Sequence, residues 1–318
     1  NPYSENNWDG SIYINNITLS GTDNDSGSDA YGLKLDGNLV GFELINNGSI
    51  TEISTKNNGN GYGINNASGS TIGSLINNSS IIGSATRDGK YGIGIYNDLG
   101  TIKSLVNNGS VAGTSTASNG ESYGIYNNSG TIKSLVNNSL IAGIDMGIGG
   151  EGHGIYNDSS SIGNLVNNGS IAGVSTGTGK LGLGIFNVST IESLANSGLI
   201  TGTSTGSRGN GDGIYSSSGT IKSLVNSGSV IGTSTESGGN GYGIYNDFGS
   251  TVENLVNNGL ITGIAAKNSN ESYGIHNESG IIDALTNRGV IYGKINAVWN
   301  AGGTITSFNN YGLLISET

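Results

Sequence analysis

His153 and His276 are the only two imidazoles in the chain, so acid–base chemistry by histidine would have to run through them. They fall in different registers of a repeating pattern, four repeats apart, and on a regular rod they cannot form a close pair. Both are expected at surface or corner positions. Enzymes that cut polysaccharides need two carboxyl groups, or an acid and a base, facing each other across a groove. Glu192, Glu253 and Asp283 do share one row of the pattern, but with Gly73, Lys103, Lys133, Gly163 and Lys222. Only Glu253 and Asp283 are neighbours there, and a solvated row of mixed charge accounts for them. With no cysteine in the chain, thiolate nucleophiles, thiolate metal sites and disulfides are excluded. Aspartates do not recur at the nonapeptide spacing of calcium-binding β-rolls, and glycine-rich stretches such as "GNGYG" lack the lysine and following helix of a phosphate loop. No catalytic, metal or cofactor site is expected.

The bulk composition agrees. The chain has 318 residues, 58 of them glycine and one proline, with 34% hydrophobic residues and a formal net charge of −11. The Lys and Arg residues number 12 and are scattered, whereas phosphate backbones and anionic membrane surfaces are bound by clustered cations. Nucleic acid is therefore not an expected partner. No apolar run approaches the roughly 20 residues of a membrane helix, and the first residues do not have a signal-peptide pattern.

What must position any functional residue is a repeat. Asn46, Asn77, Asn107, Asn137, Asn167, Asn196, Asn226, Asn257, Asn287 and Asn310 recur at spacings of 31, 30, 30, 30, 29, 30, 31, 30 and 23 residues. Apolar rows accompany them: Leu two residues before, Ile or Val four residues after, and Ile in "GIYN" and "GTI". Short β-branched segments broken by Gly, Asn and Ser read as strands, and each repeat offers three, as in "YGIYN", "TIKSLV" and "SVAGTST". None is long enough to bury a face alone, so like must stack on like. The last repeat keeps the three strand motifs in 23 residues and drops only a polar segment, which marks that segment as a loop on one corner. These features predict an all-β, right-handed parallel β-helix of about ten three-strand coils, ~30 residues per coil, roughly 45–50 Å long. Residues 1–30 match weakly and are read as a cap or an incomplete first coil; residues 31–318 form the β-helix. Ending inside a strand motif, "LLISET", the chain is expected to continue in its native form.

The recurring asparagines are expected to be structural. Asparagine tolerates a left-handed backbone and bonds locally, and stacked amides can satisfy one another from coil to coil. Two other rows are candidates for contact. Tyr96, Tyr126, Tyr156, Phe186, Tyr215, Tyr245 and Trp299, with Asn65 and His276, follow the buried Ile of "GIYN" and by strand alternation face outward. They form a candidate aromatic binding face. Tyr62, Tyr123, Tyr242 and Tyr273, three positions earlier, are placed on the inner side near the loop corner. A threonine row (Thr55, Thr86, Thr116, Thr176, Thr205, Thr235) is interrupted by Met146 and Ala266, and its companion row is mixed, so it lacks the flat two-column array of an ice-binding face. The corner loops, Lys56 to Asn60, Arg87 to Lys90, Ala117 to Ser122, Gly147 to Gly152, Gly177 to Leu181, Gly206 to Gly211, Glu236 to Asn240 and Lys267 to Ser272, are the expected variable binding edge.

The repeats "GIYNNSGTIKSLVNNSLIAG" and "GIYNDFGSTVENLVNNGLITG" resemble passenger domains of monomeric, type V secretion autotransporters of bacteria, and large fusobacterial surface adhesins in particular. The resemblance covers roughly residues 31–315 and rests on coil-building residues, so no binding residue is carried over. It implies a rod on the bacterial cell surface, exported through the outer membrane and followed by a C-terminal outer-membrane barrel, with adhesion to a host-cell or bacterial surface protein or glycan as its role. A monomer is expected. The rival readings are a polysaccharide-degrading β-helix enzyme or tailspike-like protein, and a pure structural spacer.

Overall fold

The computed structural model describes residues 12–22, 29–36, 39–55, 59–86, 90–266 and 271–317. Every regular element there is a β-strand. Each turn of the chain lays down three strands in order, exemplified by Ser122–Asn128, Thr131–Asn137 and Leu140–Asp145. Successive turns place equivalent strands side by side in parallel, giving three sheets, here called C, A and B in that order. Sheet C has 10 strands, sheet B 11 and sheet A 12, one level of sheet A being split into Thr101–Ile102 and Leu105–Asn107. The result is the parallel β-helix that the repeat predicts, with about 9 turns of ~30 residues between the first and last strands of sheet C.

Like pairs with like throughout. Leu105 lies beside Leu135, Val111 beside Ile141 and Ile125 beside Ile155. The predicted apolar rows are the core: Leu135, Ile141, Ile125 and Ile132, for example, are fully buried. Burying such a side chain is worth about 1.5–3 kcal/mol, but only the coils above and below can cover it, so stability accrues coil by coil. At the last level Phe308 and Leu314 have no coil beneath them and are 40% and 42% exposed.

Residues Ile12–Asn15 pair with Glu43–Asn46, and Thr18–Thr22 with Ser49–Ile53. Over its described part, the N-terminal segment is thus a level of sheets A and B in register with the rest; residues 1–11 and 23–28 lie outside the described residues.

The three corners use different chemistry. Between sheets A and B stands the predicted asparagine row. Between C and A, all but one of the coils from Gly69 onward place a residue in the left-handed backbone region: Leu99, Ser129, Ser159, Ser218 and Ser279, or glycine at Gly69, Gly249 and Gly302. The turn with a spacing of 29 residues lacks this residue, running directly from Asn187 through Val188 and Ser189 to Thr190, whereas coils of 31 carry one more, as in "NDFGST". Between B and C the sheets touch. An inward glycine column runs in register from Gly83 through Gly113, Gly143, Gly173, Gly202, Gly232 and Gly263 to Gly293, with Glu52 in the same register one level earlier. A Cβ at Gly113 would overlap the carbonyl oxygens of Tyr123 and Gly92. The chain then leaves the triangle as the corner loop.

Candidate functional site

The asparagine row is a buried amide ladder. Asn46 Nδ2 donates to Asn77 Oδ1 at 2.7 Å, Asn77 to Asn107 at 2.8 Å, Asn107 to Asn137 at 2.8 Å, and so on to Asn310. Asn15 adds one rung above the predicted row. The second amide proton of Asn107 goes to the Leu140 carbonyl of the next coil at 2.9 Å. One expected reason for asparagine is corrected: no ladder residue is among those with positive φ. These residues close strands in extended conformation, and asparagine is required for its side-chain bonds alone. The neighbouring residues face solvent, as expected, but make a ladder of their own. Asn78, Asn108, Asn138 and Asn168 each donate to the residue one coil earlier at 2.8–2.9 Å, opposite in sense to the inner ladder.

A third ladder was not foreseen. The Asn of "GIYN" stands last or next to last in its sheet C strand, and Asn66, Asn97, Asn127, Asn157 and Asn187 join at 2.7–2.9 Å. It resumes at Asn246–Asn277–Asn300. Ser216 interrupts it, and its buried hydroxyl has no hydrogen-bond partner. The signal was present in the sequence, since this asparagine recurs as regularly as the first.

The aromatic row faces outward from sheet C as a continuous stack. Ring centroids of Tyr96–Tyr126, Tyr126–Tyr156, Tyr156–Phe186, Phe186–Tyr215 and Tyr215–Tyr245 are 5.2, 4.8, 4.8, 5.0 and 4.8 Å apart. Most neighbours are nearly parallel, Tyr156 and Phe186 within 6°. Their π-faces are therefore turned toward one another, leaving ring edges and hydroxyls to solvent. The hydroxyls are engaged too: Tyr215 donates to Asp247 at 2.8 Å and Tyr245 to Glu278 at 2.5 Å, each a carboxylate of the next coil. Burial, then the charge of Asp158, raises the Tyr156 phenol to about 12. Trp299 stacks through one face on Tyr273 at 5.9 Å and is the most exposed ring of the row, 44%, near the end of the rod.

Two expectations about rings are overturned. Tyr62, Tyr123, Tyr242 and Tyr273 do not line the interior. Tyr62 and Tyr123 form a small cluster with Ile93, separate from the main core, and Tyr123 stacks 4.8 Å from Tyr126. The cause is Gly124. A Cβ on it would meet Ile141 of the core, and the next residue, Ile125, is itself in the core. Two consecutive residues thus face inward, and alternation fails by one. Tyr123 donates to Glu121 and Tyr242 to Glu271, both beside the loop corner. Nor are the histidines surface residues. His153 and His276 are buried because their planar rings replace phenols in these columns, 5.1 Å from Tyr123 and 5.0 Å from Tyr245. Burial lowers the pKa of His276.

The row of mixed charge is exposed on sheet A, and Lys222 pairs with Glu192 at 2.7 Å. Among the described residues, no three His, Asp or Glu converge as a metal site, and no helix is long and apolar enough to cross a membrane. The loops are stacked as well. Gly150 lies against the Gly120 carbonyl and Gly206 against that of Gly177, too close for any side chain. Tips project at Asn119 and Arg208, both with positive φ. Residues 56–58, 87–89 and 267–270, within three of the loops, lie outside the described residues.

Comparison of the chain with protein-family models, curated proteins and solved structures found no match to any of them.

Proposed function

We propose that the chain is a non-enzymatic adhesive rod, the passenger region of an autotransporter displayed on the bacterial cell surface. The observation that carries this reading is repetition on the outside as well as the inside. The ring column presents one outward ring per coil, every ~4.8 Å, with phenol–carboxylate bonds at Tyr126, Tyr215 and Tyr245. A ligand that is itself repetitive, such as a glycan chain, engages many such contacts at once and gains avidity without any strong individual site. Because the ring faces are occupied by one another, contact is through edges, hydroxyls and carboxylates, with the second face of Trp299 as the open platform.

The test is a glycan-array and cell-binding assay of the chain against two variants. Substituting Tyr126, Tyr156, Tyr215 and Tyr245 by Phe keeps the stack and removes the hydroxyls; substitution by Ala removes both. Binding by the native chain that falls in the Phe variant supports the reading. Equal binding by all three removes the ring column from it, absence of binding by the native chain favours a spacer, and release of oligosaccharides from a bound glycan would identify an enzyme.

A further inference from the structure

Over eight levels the outer face of sheet B differs from the other two in having no charge, which returns, among the described residues, only at Lys294 and Glu317 beside Tyr292 near its last strand. From Ser49 to Ile264, each strand shows three outward positions, and over eight levels these are Ser, Thr, Ala, Val, Ile or Leu, without one Asp, Glu, Lys or Arg and without an aromatic ring. About half are aliphatic. Sheet A, by contrast, exposes Lys133, Glu192 and Lys222, and sheet C exposes the carboxylates that hold its tyrosines. In a chain of net charge −11, the sheet B face is, among the three sheet faces of the described residues, the one where two copies can meet without desolvating charge or opposing carboxylates.

We propose that this face is a self-association surface, on which a second copy of the chain packs sheet against sheet about a two-fold axis. Eight levels at ~4.8 Å and six residues at ~3.3 Å give a patch of roughly 40 by 20 Å. That is about 800 Å² per copy, the size a stable dimer uses. Small residues in the middle column, such as Ala112, Ala142 and Ala172, flanked by Leu140 and Ile144, let two sheets approach to the ~10 Å of a β-sandwich. The solvent-facing amide ladder of Asn78, Asn108 and Asn138 supplies a polar rim along one edge. A polysaccharide sheet fits less well, because such ligands seat on aromatic platforms and this span has none. The proposal departs from the monomer expected from the sequence and is independent of the adhesive reading.

Two variants with equal added charge test it. Ala172→Glu with Thr201→Glu places carboxylates in the centre of the face; Ser134→Glu with Ser193→Glu places them on sheet A. Sedimentation or light scattering between about 1 and 100 μM is expected to give twice the 32.1 kDa chain mass for the native chain and the sheet A variant, and once that mass for the sheet B variant. A native chain that stays monomeric at 100 μM, or a sheet B variant that dimerises as well as its control, overturns the proposal. Folding is kept out of the comparison by a second measurement. The chain has no cysteine, so Thr201→Cys, near the middle of the face, is expected to oxidise to a disulfide-linked pair while Ser193→Cys does not. The reverse, or equal linkage, counts against it.

Discussion

An asparagine side chain offers two donors and an acceptor, and the inner ladder uses them all. Asn167 accepts from Asn137 at 2.8 Å, donates to Asn196 at 2.7 Å and donates to the Leu199 carbonyl at 3.0 Å, fully buried. Removing one member strands partners on both sides, so Asn167→Ala is expected to destabilise by about 1–3 kcal/mol in a denaturant melt. Ser216 gives the opposite test. There the sheet C ladder is broken, and Ser216→Asn restores the residue that stands at the same place in the coils on either side. It is expected to stabilise by about 0.5–1.5 kcal/mol; a lower melting temperature would show that the gap is matched to serine.

At the scale of the strand, the register was legible in the sequence because one residue type recurs at one place, and rows such as Leu105–Leu135 needed no further information. Side-chain direction was legible only where strands alternate regularly. Gly124 and Ile125 both face inward, and the pair Lys133–Ser134 both point outward in sheet A, and at such kinks parity cannot be counted through. Strict alternation therefore puts the Tyr123 row on the wrong side, and a lone histidine in the sequence does not show that it belongs to a ring column. Glycine was visible in the sequence but its task was not. Gly113→Ala would drive a methyl group into two carbonyl oxygens at the corner between sheets B and C, with an expected cost on the order of 3 kcal/mol. The outward Ala112→Ser, one residue away, is expected to stay within about 0.5 kcal/mol. Similar losses for both would mean that the corner relaxes.

For the molecule as a whole, the buried carboxyls set a pH dependence. Burial raises Asp145 from 3.8 to about 7 and holds Asp212 well above its ordinary value. The folded chain therefore keeps these protons at pH values where the unfolded chain has lost them, and stability falls as pH rises. For Asp145 the window runs from about 4 to about 7, and Asp212 extends the decline upward. His276, which burial keeps neutral, works in the opposite sense below its ordinary 6.5 and offsets part of this decline; the net melting temperature is expected to drop by on the order of a few °C between pH 5 and pH 8. Asp145→Ser, which installs the residue found in register at Ser115 and Ser175, is expected to flatten that slope. An identical slope in the variant would assign the effect elsewhere.

The one-way sense of the inner ladder carries a consequence for how such a chain changes over generations. Every coil receives an amide proton from the coil before it and passes one to the coil after it, through the same atoms and across the same apolar rows. Along this ladder and the apolar rows a coil makes no contact that depends on its ordinal position, so unequal crossing-over between 90-base segments, the coding length of about 30 residues, would add or delete whole coils while leaving the amide ladder and the apolar rows joined. Reach is a heritable variable that this architecture can alter in steps of about 5 Å without redesigning either of them.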